Sequence, residues 1–260
     1  MNEQRQTHDE TSWRERFEQG RYGEAHHTYR LTGEGDTHVE EALDCLSDIE
    51  KHLRNKSWNG AIRRLQRLES RPQLLDWQRL ETELATLKES SSALDQRHTD
   101  EALEKLQTIS IPGLEAEVLT QRGTAYIFDG DLARAKEAFN EALVLDPKHY
   151  RALTNLGNIA LEEGDIDEAI TTYETALKLN DDFANAHHNL AVAYRKKGQI
   201  GKSVRSLRKA QRTVQRKDAE EARAALSQSS KTHGIKLFRW VLYGLAAVVL
   251  YFILRNRGFF

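Results

Sequence analysis

The sequence predicts an all-α solenoid, an array of stacked helical hairpins, and three observations indicate this fold. A set of small, aromatic and glycine positions returns every 34 residues. Apolar residues recur three or four apart, whereas no segment of any length alternates as a β-strand does. Only three prolines interrupt the 260-residue chain, which is 30% charged. Such an array buries one continuous core and exposes a long surface suited to holding other proteins.

The 34-residue repeat is clearest in the second half of the chain. The positions in register are Gly123, Gly157 and Ala191; Gly130, Gly164 and Gly198; Ala135, Ala169 and Ser203; Phe139, Tyr173 and Leu207; and Ala142, Ala176 and Ala210. In the first unit we expect Gly130 to end one helix with a positive φ and Asp131 to cap the next. Gly123 allows the two helices to cross closely, and Phe139 fills the gap to the following unit.

This pattern resembles the tetratricopeptide repeat (TPR). Residues 116–149, 150–183 and 184–217 match the family's small, aromatic and turn positions in three consecutive units. The second unit departs from the family at Ala160, where tyrosine is usual, and the third has Leu207 in place of an aromatic residue. The resemblance implies a right-handed α-solenoid whose members bind other proteins.

Upstream of the clear repeats the same pattern is weaker. Gly20 and Tyr22, followed by Ala25, resemble the turn and second helix of the motif, and Ala61 and Ala102 extend the row of small residues. We interpret residues 12–110 as divergent TPR-like hairpins that continue the solenoid, after a flexible N-terminus at 1–11. A separate helical domain with chance matches is the alternative. Irregular structure is expected at Lys88–Arg97 and at Ser110–Gly113.

Composition narrows the class of protein further. The net charge is −2, and Cys45 is the single cysteine, so no disulfide can form within the chain. We therefore expect a reducing compartment and a buried, apolar role for Cys45. The first residues are polar, which predicts that no secretory signal peptide is present.

The C-terminal region has a different character. Trp240–Leu254 contains 15 residues without a charge. With the three preceding residues it makes roughly 27 Å of helix at about 1.5 Å per residue, close to the bilayer core of about 30 Å. The sequence therefore predicts a capping helix and linker at 218–235, a single transmembrane helix at 236–254 acting as a tail anchor, and a short tail at 255–260. A buried terminal helix and a shallow interfacial helix are the alternatives.

The charges around this segment predict its orientation. Five bases precede it from Lys217 onward, whereas only Arg255 and Arg257 follow it, so the positive-inside rule keeps the repeats in the cytosol. Insertion is expected after synthesis. Arginine outnumbers lysine 24 to 14, which favours a bacterial cytoplasmic membrane over the mitochondrial outer membrane.

The family resemblance also implies a ligand groove lined by the first helix of each repeat. The matching positions are Thr120, Thr124, Arg151, Thr154, Asn155, Asn158, Asn185, His188, Asn189, Arg195 and Lys196. Asparagines there would bond the backbone of an extended peptide, and the cations would bond its carboxylates. The family's clamp for a C-terminal carboxylate is not expected, because Thr154 and Ala219 stand where it needs lysine.

A second candidate surface is a row of bases before the hydrophobic segment. Residues 162–182 hold eight acids against one lysine, whereas residues 195–217 hold ten bases and no acid. Lys202, Arg205, Lys209, Arg212 and Arg216 recur every three or four residues and form one stripe along a helix. Three interpretations of this stripe remain: a solvated face, a surface that docks to anionic lipid headgroups, and a surface that binds an acidic protein partner. Nucleic acid is not expected, because no aromatic residues interleave with the bases.

The sequence contains no motif that indicates catalysis or metal binding. The ten histidines lack the i, i+4 spacing that lets two rings share a zinc ion, and no phosphate-binding glycine loop or nucleophile motif occurs. We expect the histidines and carboxylates to lie on solvent-exposed helix surfaces. No cofactor, metal or small-molecule substrate is predicted.

These observations predict a non-enzymatic, membrane-tethered adaptor or scaffold. Its groove would recruit a cytosolic protein or assemble a membrane complex. A constitutive structural subunit of such a complex is the alternative.

Overall fold

The computed structural model describes residues 12–32, 35–220 and 222–223, and in these residues the fold is all-α. The predicted N-terminal segment 1–11, most of the predicted linker 218–235, the predicted membrane helix 236–254 and the tail 255–260 lie outside the described residues. Within the described part of the chain, no helix combines the length and hydropathy needed to cross a bilayer.

Twelve helices follow one another along the described residues. Their bounds are α1 Ser12–Glu18, α2 Tyr22–Thr32, α3 Thr37–Arg54, α4 Trp58–Gln66, α5 Trp77–Asp95, α6 Thr99–Gln107, α7 Glu115–Phe128, α8 Leu132–Leu145, α9 Tyr150–Glu163, α10 Ile166–Leu179 and α11 Ala184–Lys196, with α12 beginning at residue 200 and described through 220. The first eleven of these pack pairwise as consecutive neighbours, which is the arrangement of a helical-hairpin array.

Local sequence explains where the helices begin and end. The carboxylate of Asp131 accepts the backbone N–H of Arg134 at 2.9 Å and caps α8, as the sequence predicts. Gly130 has φ of 81° and Gly164 has φ of 94°, the left-handed conformation that ends a helix without a side-chain clash.

Small residues allow the two helices of a hairpin to cross closely. A Cβ built on Gly123 would lie 2.6 Å from the ring of Phe139, and one on Gly157 would lie 2.6 Å from the ring of Tyr173. Phe139 is fully buried and shares a core cluster with Ala152 of the next hairpin. The prediction that Phe139 fills the gap between units is confirmed.

The N-terminal hairpins share a core with the clear repeats. One cluster of buried residues runs from Tyr22 of α2 through Leu46 of α3 and Leu84 of α5 to Val118 of α7. Cys45 lies in this cluster and is fully buried, as predicted. This shared core favours a continuation of the array over a separate helical domain.

The array is not a simple open stack, because α3 also contacts the α8–α9 turn. Arg54 donates two hydrogen bonds to Asp146, the Tyr150 hydroxyl donates to Asn55 at 2.6 Å, and Arg151 donates to the carbonyl of Leu53 at 3.2 Å. These contacts join residues more than 90 positions apart. A regular solenoid joins only adjacent units.

Of the two segments expected to be irregular, one is largely helical and the other is irregular as predicted. Lys88–Asp95 is helical, because Ser90, Ser91 and Leu94 are buried within α5 and the serines there pack as small residues. The break at Ser110–Gly113 is present as a coil followed by a 3₁₀ turn at Pro112–Leu114. Helix α12 also continues through residue 220 without a break at the predicted repeat boundary of 217.

Candidate functional site

The candidate site is the face formed by α9 and α11, the first helices of two successive hairpins. We call it the α9–α11 face and define it by Asn155, Asn158, Asn185, His188, Asn189, Arg195 and Lys196. These side chains are exposed or half-buried. The family resemblance predicts the same residues as part of a ligand groove.

Two asparagines fix the geometry at the centre of the α9–α11 face. The amide oxygen of Asn158 accepts from the Tyr173 hydroxyl at 2.7 Å and from the amide nitrogen of Asn189 at 2.7 Å. Helix α9 is thereby joined to α10 and to α11 through one side chain. Because Asn158 already holds two neighbours, its first role is to position the face.

The edge of the face carries positive charge. Arg195 and Lys196, in the last turn of α11, are exposed, and neither has an ion-pair partner among the described residues. Asn185 and His188 are exposed about two to three turns earlier on the same helix. The arrangement therefore offers amide, imidazole and cationic groups to a polar or acidic ligand.

Three predicted groove residues have structural roles instead. Thr120 is fully buried and donates to the carbonyl of Ala116, and Thr154 is 3% exposed and donates to the carbonyl of Tyr150. The expectation that these two threonines line the groove is wrong, because both side chains are buried. Half-buried Thr124 likewise donates to the carbonyl of Thr120 at 2.8 Å.

Arg151, also predicted to face a ligand, belongs to a buried polar network. It donates to Glu117 at 2.9 Å, while the Nε2 of His149 lies 3.1 Å from the same carboxylate and Gln121 donates to its other oxygen. Burial alone would raise the pKa of Glu117, but Arg151, His149 and Gln121 outweigh it and hold the pKa below its usual value. The Nδ1 of His149 accepts from the N–H of Ala152, so Nε2 carries the proton.

Burial corrects the expectation for histidines and carboxylates. His149 and His187 are buried, and so are Glu83 and Glu117. Each of the four has hydrogen-bond partners inside the protein. Helical periodicity does not separate these residues from surface ones, because each has a partner outside its own helix. Among the described residues, no three His, Cys, Asp or Glu side chains are grouped to hold a metal ion.

The predicted basic stripe is only partly open. Lys209 pairs with Asp181, Arg216 pairs with Asp182, and the ammonium of Lys202 lies 5.2 Å from the ring centre of Tyr194. Arg205 and Arg212 are exposed and have no ion-pair partner within the described residues. A single continuous surface of five free charges is therefore not present.

The charge asymmetry in the sequence has a structural explanation. Acids of one hairpin pair with bases of a neighbouring hairpin: Glu163 with Lys136, Asp167 with Lys197, Asp181 with Lys209 and Asp182 with Arg216. All eight groups are exposed or partly exposed, so solvent screens each pair and its contribution to stability is small.

A cavity of about 530 Å³ lies between α1–α3 and the loops at 112–113 and 145–149. The sequence gives no signal for it, because its walls come from distant segments. Glu50 lines the cavity and accepts the N–H groups of Tyr22 and Gly23 at 2.7 and 3.1 Å. Despite these donors and Arg54, burial raises the pKa of Glu50 to about 7.

The fold is that of a helical-repeat protein, a class whose members commonly hold other proteins. A tetratricopeptide repeat family model matches residues 120–177, and a second TPR repeat model matches residues 157–198. Residues 120–198 therefore contain tetratricopeptide repeats, in agreement with the resemblance seen in the sequence.

The fold is also similar to solved structures of MamA. The crystal structure of MamA is 22% identical, with a TM-score of 0.44 over 66% of this chain and 96% of that chain. The MamA RS-1 ArsTM double mutant is 14% identical, with a TM-score of 0.43 over 69% of this chain and 98% of that chain. No curated protein matches the sequence.

Proposed function

We propose that this protein is a non-enzymatic scaffold that binds another protein through the α9–α11 face. The observation that carries the proposal is the grouping of exposed Asn185, His188, Arg195 and Lys196 on one TPR helix beside the fixed Asn158–Asn189 pair. Donors, acceptors and cations arranged along a rigid helix suit an extended peptide that bears carboxylates.

The scaffold is further proposed to be tethered to a membrane by residues 236–254. The support is the sequence itself, in which 15 consecutive uncharged residues are flanked by bases. A tether would raise the local concentration of whatever the α9–α11 face holds. The repeats would then face the cytosol, on a bacterial cytoplasmic membrane.

A constitutive subunit of a membrane complex is the second candidate. The specific observation in its favour is the exposed apolar row on α12, described below, because a permanent partner would cover it. Partner binding that survives high salt would favour this candidate over a transient adaptor.

The scaffold proposal is tested by a pull-down from native membranes with three versions of the full chain. The first is wild type, and the second is the double variant Arg195→Glu, Lys196→Glu. The third is the matched control Arg67→Glu, Lys178→Glu, which reverses two exposed charges elsewhere. We expect one protein to be captured by wild type and by the control and to be lost from the double variant. Equal capture by all three would show that the α9–α11 face is not the site.

The tether is tested separately by membrane fractionation. We expect a chain that lacks residues 236–254 to leave the membrane fraction while keeping its partner. If that truncated chain still fractionates with membranes, the segment is not the anchor.

A further inference from the structure

Helix α12 carries an exposed row of aliphatic side chains. Ile200, Val204, Leu207 and Val214 are 57, 43, 39 and 47% exposed, and their spacing of 4, 3 and 7 places them on one side of the helix. We call this row the α12 face. Scattered apolar residues on a surface are ordinary, but a contiguous row indicates a surface that something covers.

The preceding hairpin shows what covers the same positions. Thirty-four residues earlier in the repeat, Val204 corresponds to Ile170 and Leu207 corresponds to Tyr173. Ile170 is 8% exposed and Tyr173 is fully buried, and both lie in a core cluster with Leu190 and Tyr194 of α11. On α10 this face therefore receives a helix. The α12 face has the same register and presents the same kind of surface.

The charge beside the α12 face indicates which helix fits. Arg208 corresponds to Glu174, which accepts a hydrogen bond from the Tyr194 hydroxyl of the docked α11. A side chain at this position therefore reaches the neighbouring helix. Arg208 is exposed, as are Arg205 and Arg212, and none of the three has an ion-pair partner among the described residues. A docked helix that supplies carboxylates would neutralise them.

Two other occupants complement these charges less well, since α12 itself carries seven bases against Asp218 and Glu220. The sequence from residue 224 to 260 contains five bases and no aspartate or glutamate. A second copy of α12 would bring the same three arginines to the interface, and like charges there would repel. Charge complementarity therefore favours a different molecule.

We propose that the α12 face binds an amphipathic helix of another protein, whose apolar row is flanked by aspartate or glutamate. The bound helix would take the place that the first helix of a further repeat would occupy. This site is separate from the α9–α11 face and does not depend on it.

The test uses two synthetic helical peptides, fluorescently labelled. Both carry leucine at positions i, i+4, i+7, i+11 and i+14; one has glutamate beside this row, and the other has lysine at the same positions. Binding to the full-length chain is measured by fluorescence anisotropy, with the protein in lipid nanodiscs so that free detergent does not compete for the apolar row. Circular dichroism melting verifies that each variant is folded.

We expect the glutamate peptide to bind wild type more tightly than the lysine peptide does. Leu207→Asp should weaken binding of the glutamate peptide about tenfold or more, because it places a charge in the apolar centre of the contact. Arg208→Glu should weaken binding of the glutamate peptide and strengthen binding of the lysine peptide. The control Lys178→Glu, an exposed charge on α10, should change neither affinity.

Three results would overturn the proposal. Equal affinity of wild type for the two peptides would remove the charge argument. A dimer in analytical ultracentrifugation that Leu207→Asp dissociates would assign the face to a second copy. Binding of the glutamate peptide only after residues 236–254 are deleted would assign the face to the chain's own hydrophobic segment. None of these results bears on the α9–α11 face, which the pull-down tests independently.

Discussion

Arg54 and Asp146 lie 92 residues apart in the sequence and form a bidentate ion pair, with Nε to Oδ2 at 2.6 Å and Nη2 to Oδ1 at 3.0 Å. Their side chains are 19% and 17% exposed, so solvent screens the pair only in part. We expect Arg54→Ala to lower the free energy of unfolding by about 2 kcal/mol, between the values typical of surface and buried pairs. Urea denaturation followed by circular dichroism measures this change.

The control for that variant is Lys51→Ala, one turn earlier on α3. Lys51 pairs with Asp48 at 2.8 Å but is 61% exposed, so its loss should change the unfolding free energy by less than about 0.5 kcal/mol. If Arg54→Ala and Lys51→Ala have equal effects, the contact between α3 and the α8–α9 turn does not stabilise the fold.

Protonation of Glu117 should contribute to the loss of folding stability at low pH. Its pKa is depressed in the folded state, so its stabilising contribution is complete above the unfolded value and is lost as pH falls through the lower folded value. We expect Glu117→Gln to cost about 3 kcal/mol at pH 7, because Arg151 loses its buried partner. The difference between wild type and variant should shrink as pH falls below about 4.5, near the unfolded pKa. A pH-independent difference in urea midpoints would contradict this role.

Glu50 should have the opposite pH dependence. Its pKa rises from 4.5 to about 7 on folding, so the folded state binds the proton more tightly and stability falls as pH rises across that interval. At roughly 1.4 kcal/mol per pKa unit, the free energy of unfolding of wild type should fall by up to about 3 kcal/mol relative to that of Glu50→Gln between pH 4.5 and 8. Thermal melts of both proteins at several pH values measure the relative slope, and parallel curves would show that Glu50 does not titrate there.

Alanine should have opposite effects on stability at two helical glycines, Gly123 and Gly201. Gly123→Ala places a Cβ 2.6 Å from the Phe139 ring, and we expect a loss of about 1–3 kcal/mol from overpacking. Gly201 lies in α12 with nothing within 4 Å of a built Cβ, so Gly201→Ala should gain about 0.5–1 kcal/mol of helix stability. Chemical denaturation of both variants measures the change in the free energy of unfolding. Equal changes would contradict a close crossing of the helices at Gly123.

The sequence predicts the repeats well because their signals are local. The period of 34 residues places the turns at Gly130 and Gly164, and the pairing of a small residue with a ring one helix later follows from hairpin geometry. The Asp131 cap is likewise read from neighbouring residues. Each of these features depends on contacts within one or two hairpins.

The features that the sequence does not predict depend on distant segments. Nothing near Arg54 indicates that it meets Asp146, and nothing near Glu117 indicates that His149 and Arg151 converge on it. The family pattern assigns Thr120 and Thr154 to a groove by position alone, but whether a side chain is covered depends on how closely the next helix packs. The open α12 face appears only when the exposure of each repeat position is compared with that of its predecessor.

The join between residues 53–55 and 146–151 also has a mechanical consequence. Pulled at its ends, an open helical solenoid lengthens like a spring, since each hairpin holds only its neighbours. Here the Arg54–Asp146 pair and the Tyr150–Asn55 bond close α3 to α8 into a loop that resists extension as one unit. Compliance is left to the helices that follow residue 151. A pulling force would therefore deform the α9–α11 face before it opened the segment from α3 to α8, and a ligand held there would be released at the lower force.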